Sequence, residues 1–468
     1  MKRGILSAGG YIPYHRLDRS SVRAVFGSGG GRGTRSVASY DEDTTSMAVE
    51  AARFALASMP VAKRVQSLWF ATSEPAYLDK TNANAIHAAL QLDSSAIAVD
   101  MGGAPRSGIG ALRAALEGAG TTLVIGSDTR TGLPTSPDES AGGDAAAALL
   151  VGEGDFLLAE YLGGASASEE FLDRYRLPGE KSSRTWEDRF AESRYVPLGV
   201  DAFHRGLEAA GLEAGQVERL ILTGTHARST ASLGRKLGVA PEAKVDDLTG
   251  VVGQTGTAHA GLMLTQVLEA AESEQVVALV HLSDGADVLF FRTTPQDERF
   301  RPVRTVATQV ENGGEVPYGK FLAWRGMATV QPPNRPAPAR PSGSAAARSE
   351  AWKFGFVGSR DRSSGALHLP PQRASRVGGA TDEMDPAPMA DRQATVATFT
   401  IDRLAYSPSP PIVFAVLDFD GGGRLPCELT DVASTDVKVG DRVEMTFRRL
   451  YTADGIHNYF WKARPVRG

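Results

Sequence analysis

Short apolar runs alternate with amphipathic stretches over roughly the first 330 residues of the chain. Apolar runs of strand length occupy 121–128, 145–152, 217–226 and 276–292. The last run is interrupted by Asp284 and Gly285, which predicts a turn between two strands. Stretches 44–59 and 197–212 repeat apolar residues at i, i+3, i+4 and i+7, which predicts helices packed on a sheet. This alternation is typical of an α/β core.

The composition changes after Val330. Residues 331–351 are rich in Pro, Ala, Ser and Arg and have no apolar period, which predicts a flexible linker over 331–350. Beyond it, about five segments of strand length are separated by Gly, Asp and Pro turns. Because so many short strands fall within little more than a hundred residues, this region is predicted to form a small β-barrel.

Composition and charge exclude several classes of function. A hydrophobic fraction of 42% and a formal net charge of -5 indicate a globular protein with no need of a polyanionic partner. The sequence has no apolar leader and no apolar run of about 20 residues, so we expect a cytoplasmic protein that does not enter a membrane. The single cysteine, Cys427, rules out an intrachain disulfide and a cysteine-rich zinc site.

The barrel segment carries residues that could also serve nucleic-acid binding. Arg448 and Arg449 supply cations, and Tyr459 and Trp461 supply rings on which bases could stack. Alternation along a strand explains the same residues as one packed and one solvated face. Since the total charge is acidic, we predict no nucleic-acid partner.

Several blocks of the first 290 residues follow the order of a known superfamily. They are "GGYIPYHRLDRSSV", "FATSEPAYLDKTNANAIHAALQL", "VDMGGAPRSGIGALRAAL", "VIGSDTRTGLP", "AGGDAAAALLVG", "GTHARSTASLGRKLGV" and "VVGQTGTAHAGLML". On these blocks the chain resembles the thiolase superfamily and, within it, 3-hydroxy-3-methylglutaryl-CoA synthases, with ketoacyl synthase III as a more distant relative. The resemblance implies a thiolase-like five-layer α/β/α/β/α core, with halves at 1–155 and 156–330, that forms a homodimer.

The resemblance also implies an active site. Family members hold a Cys at a helix N-terminus, where the helix end and a nearby His favour the thiolate that attacks an acyl thioester. A Glu and a His then move protons. Glu74 and His226 match these two residues, and Gln254 stands where many relatives carry Asn. Pro105, in "APRSGIGAL", occupies the nucleophile position; proline suits the first turn of a helix but cannot form an acyl-enzyme.

Other interpretations of these positions stay open. Ser107 is the hydroxyl nearest to position 105, but two residues along a helix turn its side chain by about 200°, away from the pocket. Cys427 lies in the barrel segment, where a lone Cys among apolar residues is typically inert. Glu74 could be a solvated loop carboxylate, and His226 a hydrogen-bonded structural residue.

The C-terminal region resembles the acyl-CoA-associated OB-fold family on "LPCELTDV" and "VGDRVEMTFRRLYTADGIHNYFWKARPV". This implies an OB-fold barrel over 381–468, preceded at 351–380 by a segment similar to a zinc ribbon. Family members hold zinc there with two C-x-x-C pairs. In this chain the four positions are Asp361, Ser364, Ser375 and Gly378. One carboxylate and two hydroxyls do not make a tetrahedral soft-ligand site, so we predict no structural zinc.

The replaced nucleophile and zinc ligands leave two functions open. The first is an enzyme that acts on acyl-CoA or acyl-carrier thioesters without an acyl-cysteine, and forms or cleaves a carbon–carbon bond with Glu74 and His226 as acid and base. The second is a non-catalytic subunit that binds acyl-CoA and scaffolds or activates a separate thiolase-type chain. Both predict a CoA thioester as substrate or ligand and no other bound cofactor.

Overall fold

The computed structural model describes residues 2–59, 64–295 and 300–467, which fall into two compact units. Unit 1 comprises Met1–Ala38, Glu50–Asn84 and Asp93–Tyr318. Unit 2 comprises Ser39–Val49, Ala85–Leu92 and Gly319–Gly468. Across these described ranges, no helix has the length and apolar character needed to cross a bilayer.

The strands of both units are short to medium in length. They are β1 (Arg3–Tyr11), β2 (His15–Asp18), β3 (Thr34–Val37), β4 (Ser67–Thr72), β5 (Ile97–Gly102), β6 (Thr122–Asp128), β7 (Ala145–Glu153), β8 (Ala159–Ala167), β9 (Arg174–Tyr175), β10 (Arg184–Thr185), β11 (Arg219–Gly224), β12 (Val276–Leu282), β13 (Ala286–Thr293), β14 (Gly314–Glu315), β15 (Val357–Asp361), β16 (Leu367–His368), β17 (Met384–Pro388), β18 (Ala394–Asp402), β19 (Ile412–Phe419), β20 (Arg424–Leu429), β21 (Arg442–Ala453) and β22 (Ile456–Pro465).

The helices range from single turns to one of 23 residues. They are α1 (Ser20–Phe26), α2 (Thr44–Ala57), α3 (Ala83–Ala89), α4 (Arg106–Glu117), α5 (Pro137–Ala141), α6 (Asp188–Ala210), α7 (Ala227–Gly234), α8 (His259–Ala270), α9 (Val306–Glu311), α10 (Tyr318–Trp324), α11 (Gly343–Arg348) and α12 (Glu350–Lys353). Short 3-10 turns cover Ala214–Gln216, Pro241–Ala243 and Gly256–Ala258.

Unit 1 is built on a nine-stranded sheet of order β11-β12-β13-β8-β1-β7-β6-β4-β5. In the first half of the chain, β7 is antiparallel to β1 and β6, whereas β4 is parallel to β6 and β5. The second half repeats this pattern, with β13 antiparallel to β8 and β12, and β11 parallel to β12. The two strand sets are continuous through pairing of β1 with β8 at Gly4 and Ile5. The predicted strands at 121–128, 145–152, 217–226 and 276–292 are confirmed.

Helices form layers on both strand sets, as the alternation of the sequence predicts. The apolar faces of α4 and α8 share one core cluster with residues of both halves of the sheet. α6 covers β8 and β13 with a second cluster. α2 lies so close to β1 that a Cβ on Gly9 would overlap the backbone of Ala51 and Ala55. The helix predicted at 197–212 begins earlier, at Asp188, and includes Pro197.

Unit 2 contains the predicted barrel. Strands β18-β19-β20-β22-β21 form a closed barrel, and β16-β15-β17 form a separate three-stranded sheet. The prediction of a flexible linker over 331–350 is wrong in its last part, because α11 and the first residue of α12 lie there. Ser342 caps α11 by accepting a hydrogen bond from the Ala345 N–H. Cap chemistry of this kind forms a helix without any apolar period in the sequence.

Candidate active site

A cleft of about 610 Å³ opens in unit 1 where strands of both halves end. Residues at or just after the carboxyl ends of β4, β5, β6, β11 and β12 line it, together with the segment around β9. From the strand ends come Thr72, Ser73, Glu74, Gly102, Pro105, Arg130, Thr225, Ser283 and Asp284. Clefts at the carboxyl ends of parallel strands are a frequent site of ligand binding in α/β proteins. We therefore take this cleft as the candidate active site.

Pro105 lines the cleft at the N-cap of α4, with φ -55° and ψ -30°. It offers no nucleophilic atom at the positive end of the helix, where a thiolate would be stabilised. The hydroxyl of Ser107 donates to the Gly102 carbonyl at 2.9 Å, and Ser107 is absent from the described lining of the cleft. Cys427 is buried in the barrel of unit 2, and burial raises the pKa of its thiol to about 12. Neither residue replaces the missing nucleophile.

Glu74 lines the same cleft as Pro105 and is ion-paired with Arg176. Arg176 also donates to the Ser73 carbonyl, so its guanidinium binds both a side chain and the backbone of the turn after β4. The Asp128 carboxylate connects this turn to the 3-10 turn before α8. It accepts from the Ser73 N–H at 2.7 Å and from the Thr257 N–H at 2.8 Å. The Glu74 carboxylate is thus close to where a substrate would bind, but a compensating positive charge lies beside it.

His226 is the N-cap of α7 and does not belong to the described lining of the cleft. Its Nδ1 accepts from the Ser229 N–H at 3.2 Å, so the proton of the neutral ring lies on Nε2. That Nε2 lies 3.4 Å from an oxygen of Asp188, and the ring stacks on Tyr195 with 6.4 Å between centroids. The structure therefore does not bring His226 into the cleft with Glu74 and Pro105.

Gln254 lies beside a smaller cavity that shares Arg130, Arg174 and Thr225 with the cleft. Its Oε1 accepts from the Gly256 N–H at 2.7 Å, which closes the loop before α8. Its Nε2 is buried and has no hydrogen-bond partner among the described residues. Gln254 therefore adjoins the cleft, with an amide donor that is not used inside the protein.

The segment around β9 and β10 forms a wall of the cleft that the sequence analysis missed. Arg174, Arg176 and Lys181 from this segment line it, and Arg174 pairs with both oxygens of Asp138. A basic run around the Leu-Pro-Gly turn at 177–179 was the available signal. Without a strand pattern, that run does not reveal which surface it faces.

The turn between β12 and β13 contributes a further acidic side chain to the lining of the cleft, Asp284, which sequence analysis treated only as part of a turn. Arg106, the first residue of α4, donates to the Asp284 carbonyl at 2.6 Å and to Asp287 at 2.8 Å. Burial raises the pKa of the Asp284 carboxyl above its ordinary value. Arg106, in the first turn of α4, therefore positions the turn that carries Asp284, whose carboxyl is a weaker acid than usual.

Hydrogen bonds connect the residues at the positions that the sequence analysis compares with zinc ligands. The Asp361 carboxylate accepts from the hydroxyls of Ser363 and Ser364, and hydrogen bonds, first that of Ser364, hold the pKa of this carboxyl well below its usual range. Ser375 donates to the Val377 carbonyl at 2.6 Å, and Gly378 has no ligand atom. Within the described ranges, no three His, Cys, Asp or Glu residues are grouped so as to hold a metal ion. Asp361 and its serine neighbours therefore satisfy one another by hydrogen bonds.

Comparisons with known proteins agree with this architecture. Residues 388–448 match the family model described as the ChsH2 C-terminal OB-fold domain. The hydroxymethylglutaryl-CoA synthase of Methanopyrus kandleri is 28% identical over 340 residues, which cover 68% of this chain and 95% of that protein. MvaS in complex with 3-hydroxy-3-methylglutaryl coenzyme A aligns with a TM-score of 0.60 at 20% identity, over 73% of this chain and 94% of that chain. 3-Oxoacyl-(acyl carrier protein) synthase III, FabH, from Pseudomonas aeruginosa PAO1 aligns with a TM-score of 0.56 at 20% identity, over 63% of this chain and 99% of that chain.

The predicted fold class is therefore confirmed. The chain has a thiolase-like α/β core that is similar to hydroxymethylglutaryl-CoA synthases, and it carries a C-terminal OB-fold domain. Ketoacyl synthase III is similar in fold, as the sequence resemblance implies.

Proposed function

We propose that this chain binds an acyl-CoA or acyl-carrier thioester in the cleft and forms or cleaves a carbon–carbon bond without an acyl-enzyme. The observation that carries this proposal is the cleft itself, whose lining includes acidic side chains, Glu74 and Asp284 among them, but has Pro105 at the helix N-terminus. A similar protein binds 3-hydroxy-3-methylglutaryl coenzyme A, which supports a CoA thioester as the ligand. No other cofactor is needed for this chemistry.

The groups around the cleft suit such a ligand. The positive end of α4 favours the negative charge that develops on a thioester oxygen when the adjacent carbon loses a proton. Lys181 is a cation of the lining that complements the phosphates of a CoA group. Because Pro105 cannot take up the acyl group, the thioester stays intact and the reacting carbon must be its α-carbon. An aldol-type addition, or its reverse, fits these conditions.

Mass spectrometry of the CoA thioesters tests the proposed reaction. The purified full-length chain is incubated with acetyl-CoA and acetoacetyl-CoA, and binding of each is measured by calorimetry. We expect both to bind, a condensed thioester to form, and the intact protein to keep its mass. Failure of both thioesters to bind would overturn the proposal, and an acyl adduct on the protein would overturn its non-covalent character.

A second candidate is a non-catalytic subunit that scaffolds or activates a thiolase-type chain. The contacts of Glu74 and His226 favour this second candidate. Glu74 is paired with Arg176, and His226 caps α7 outside the cleft. This function predicts thioester binding without turnover and a stable complex with a thiolase-type chain in a pull-down from the native host. Recovery of a homodimer alone would leave the enzyme as the better explanation.

We also propose that unit 2 folds without zinc, because Asp361 and its serine neighbours satisfy one another. Incubation with a chelator is expected to leave the unfolding temperature of the full chain unchanged. Metal analysis of the untreated protein that found one zinc per chain would contradict this expectation.

A further inference from the structure

Asp284 lines the cleft with Pro105 and Glu74, and its carboxyl group has no part in the contacts that build the site. It is the second residue after β12 and precedes Gly285, so it belongs to the turn that connects two buried strands of the second half. Glu74 projects from the end of β4 in the first half. The two carboxylates therefore reach the same cleft from opposite halves of unit 1.

The turn does not need this side chain. Asp284 has a φ of 48°, a left-handed conformation that glycine adopts at no steric cost. The turn is held through the Asp284 backbone: its carbonyl accepts from Arg106 at 2.6 Å, and its N–H donates to the Tyr195 hydroxyl at 3.2 Å. Because the turn is held mainly through the Asp284 backbone, with one long side-chain bond from Ser283, the carboxylate is available for a role in the cleft.

The surroundings keep this carboxylate available for proton transfer. Its hydrogen bond from Ser283 is long, at 3.4 Å. The Arg106 guanidinium is engaged with Asp287 and with backbone carbonyls, and no ion pair joins Asp284 to a cation in the described part of the chain. The Glu74 carboxylate, in contrast, is paired with Arg176.

The groups around Asp284 shift the pKa of its carboxyl in both directions. Burial is the main cause that raises the pKa of the Asp284 carboxyl, and the charge of Asp173 adds to it. The Ser283 hydrogen bond and the charges of Arg106 and Arg174 oppose the rise. The net effect brings the carboxyl nearer to the pH at which a general base must exchange its proton.

We propose that Asp284 is the residue that removes and returns the proton of the bound thioester, an inference that rests on the function proposed above. The α-carbon C–H bond breaks, its proton passes to an Asp284 oxygen, and the electron pair moves to the thioester carbonyl oxygen as an enolate. The enolate carbon then bonds to the carbonyl carbon of an acceptor, and the alkoxide that forms takes the proton back from Asp284. Cleavage is the same sequence in reverse, and no redox partner is required.

Exchange of the α-protons of acetyl-CoA in D2O isolates the first of these steps. The full-length protein is incubated with acetyl-CoA, and deuterium uptake is followed by mass spectrometry. We expect Asp284→Asn to slow exchange by at least about 100-fold, because a general base contributes that much. Asp201→Asn is the matched control, since Asp201 is an exposed residue of α6 paired with Arg205. It is expected to exchange at the wild-type rate.

Further variants separate a catalytic role from a structural one. Asn and Gly both suit a left-handed φ, so Asp284→Asn and Asp284→Gly are expected to keep the unfolding temperature and to bind acetyl-CoA by calorimetry. The exchange rate of the wild type is expected to rise with pH through a carboxyl titration, which Asp284→Glu retains and Asp284→Asn loses.

The outcomes distinguish this inference from the function on which it rests. Loss of exchange in both Asp284→Asn and Asp284→Gly, with binding kept, supports it. Retained exchange in either variant overturns the assignment to Asp284 and leaves the proposed function intact. Binding without any exchange by the wild type overturns both and leaves the non-catalytic subunit. Absence of binding by the wild type also overturns both.

Discussion

Pro105 lies at the N-terminal end of α4, where a helix stabilises a negative charge most strongly. The N-terminal turn of α4 leaves N–H groups directed at this position and stabilises a negative charge there. Proline is compatible with that turn but supplies neither an N–H nor a nucleophile. A cysteine in the same place should therefore have an activated thiol, whether or not the rest of the site can use it.

The first prediction concerns Pro105→Cys. Its thiol lines the cleft at the positive end of α4, so its pKa is expected to fall below that of an ordinary thiol and iodoacetamide should alkylate it rapidly at neutral pH. Ser107→Cys is the control, because the Ser107 side chain is directed at the Gly102 carbonyl. Peptide mapping is expected to find alkylation at least about ten times faster in Pro105→Cys. Equal rates would mean that the helix end does not act on this position.

Strand β21 carries one arginine in a buried charge cluster and another in an exposed ion pair. Arg448 is fully buried in unit 2 and pairs with Asp41 at 3.4 Å, with Glu42 at 2.7 Å and with Asp431 at 2.7 Å. Arg442, six residues earlier on the same strand, pairs with Asp420 in solvent. A buried cluster loses far more than an exposed pair when one partner is removed, because the remaining charges are left uncompensated.

The second prediction compares Arg448→Met with Arg442→Met. Removal of Arg448 takes away the cation beside Glu42 and Asp431 in the interior, while Asp41 keeps its pair with Lys462, and should lower the free energy of opening of the barrel by about 3 kcal/mol or more. Removal of Arg442 should change it by less than about 1 kcal/mol. Hydrogen exchange of barrel peptides, followed by mass spectrometry, reports this local free energy. Equal protection in the two variants would contradict the prediction.

At the scale of the whole molecule, the two compact units are not consecutive in the chain. Unit 2 contains Ser39–Val49 and Ala85–Leu92. Both segments lie within 1–155, which the sequence analysis assigns to the first half of the thiolase-like core. Carboxylates of the first of these segments neutralise Arg448 and Lys462 inside unit 2. Folding of unit 2 therefore needs residues that lie more than 300 positions away in sequence.

The third prediction concerns pH and stability. Burial raises the pKa of Glu269, on α8, from 4.5 to about 7. Between these values the folded chain binds more protons at this site than the unfolded chain, so the contribution of Glu269 to stability falls as the pH rises from about 4.5 to 7. This contribution amounts to at most about 3.5 kcal/mol, since one pKa unit corresponds to about 1.4 kcal/mol. His259 and His281 act in the opposite direction, because burial lowers their pKa values to about 4.

Unfolding of unit 1 at a series of pH values, in the wild type and in Glu269→Gln, checks this. Because the amide does not titrate, the stability of Glu269→Gln relative to the wild type is expected to increase as the pH rises from about 4.5 to 7. Glu208→Gln, at an exposed position of α6, should keep a constant difference from the wild type over this range. A constant difference for Glu269→Gln as well would contradict the raised pKa of Glu269.

The fold was largely predictable because its signals are local. Apolar runs such as 121–128 and the helical spacing at 44–59 predict buried elements of the core, and the structure confirms both. α11 was missed because it is formed by the Ser342 cap, and its sequence has no apolar period. The start of α6 was missed because the apolar period was followed only from Pro197, whereas the helix begins at Asp188 and continues through that proline.

The site was predictable only in part. The sequence by itself determined the α/β core, the barrel, and the absence of a nucleophile at Pro105, because each depends on residue type and spacing along the chain. Only the tertiary structure decided that Glu74 is paired with Arg176, that His226 caps a helix outside the cleft, and that Asp284 lies inside it. These outcomes depend on which strand ends and loops converge in space, and one residue's spacing along the chain contains no information about a partner a hundred or more positions away.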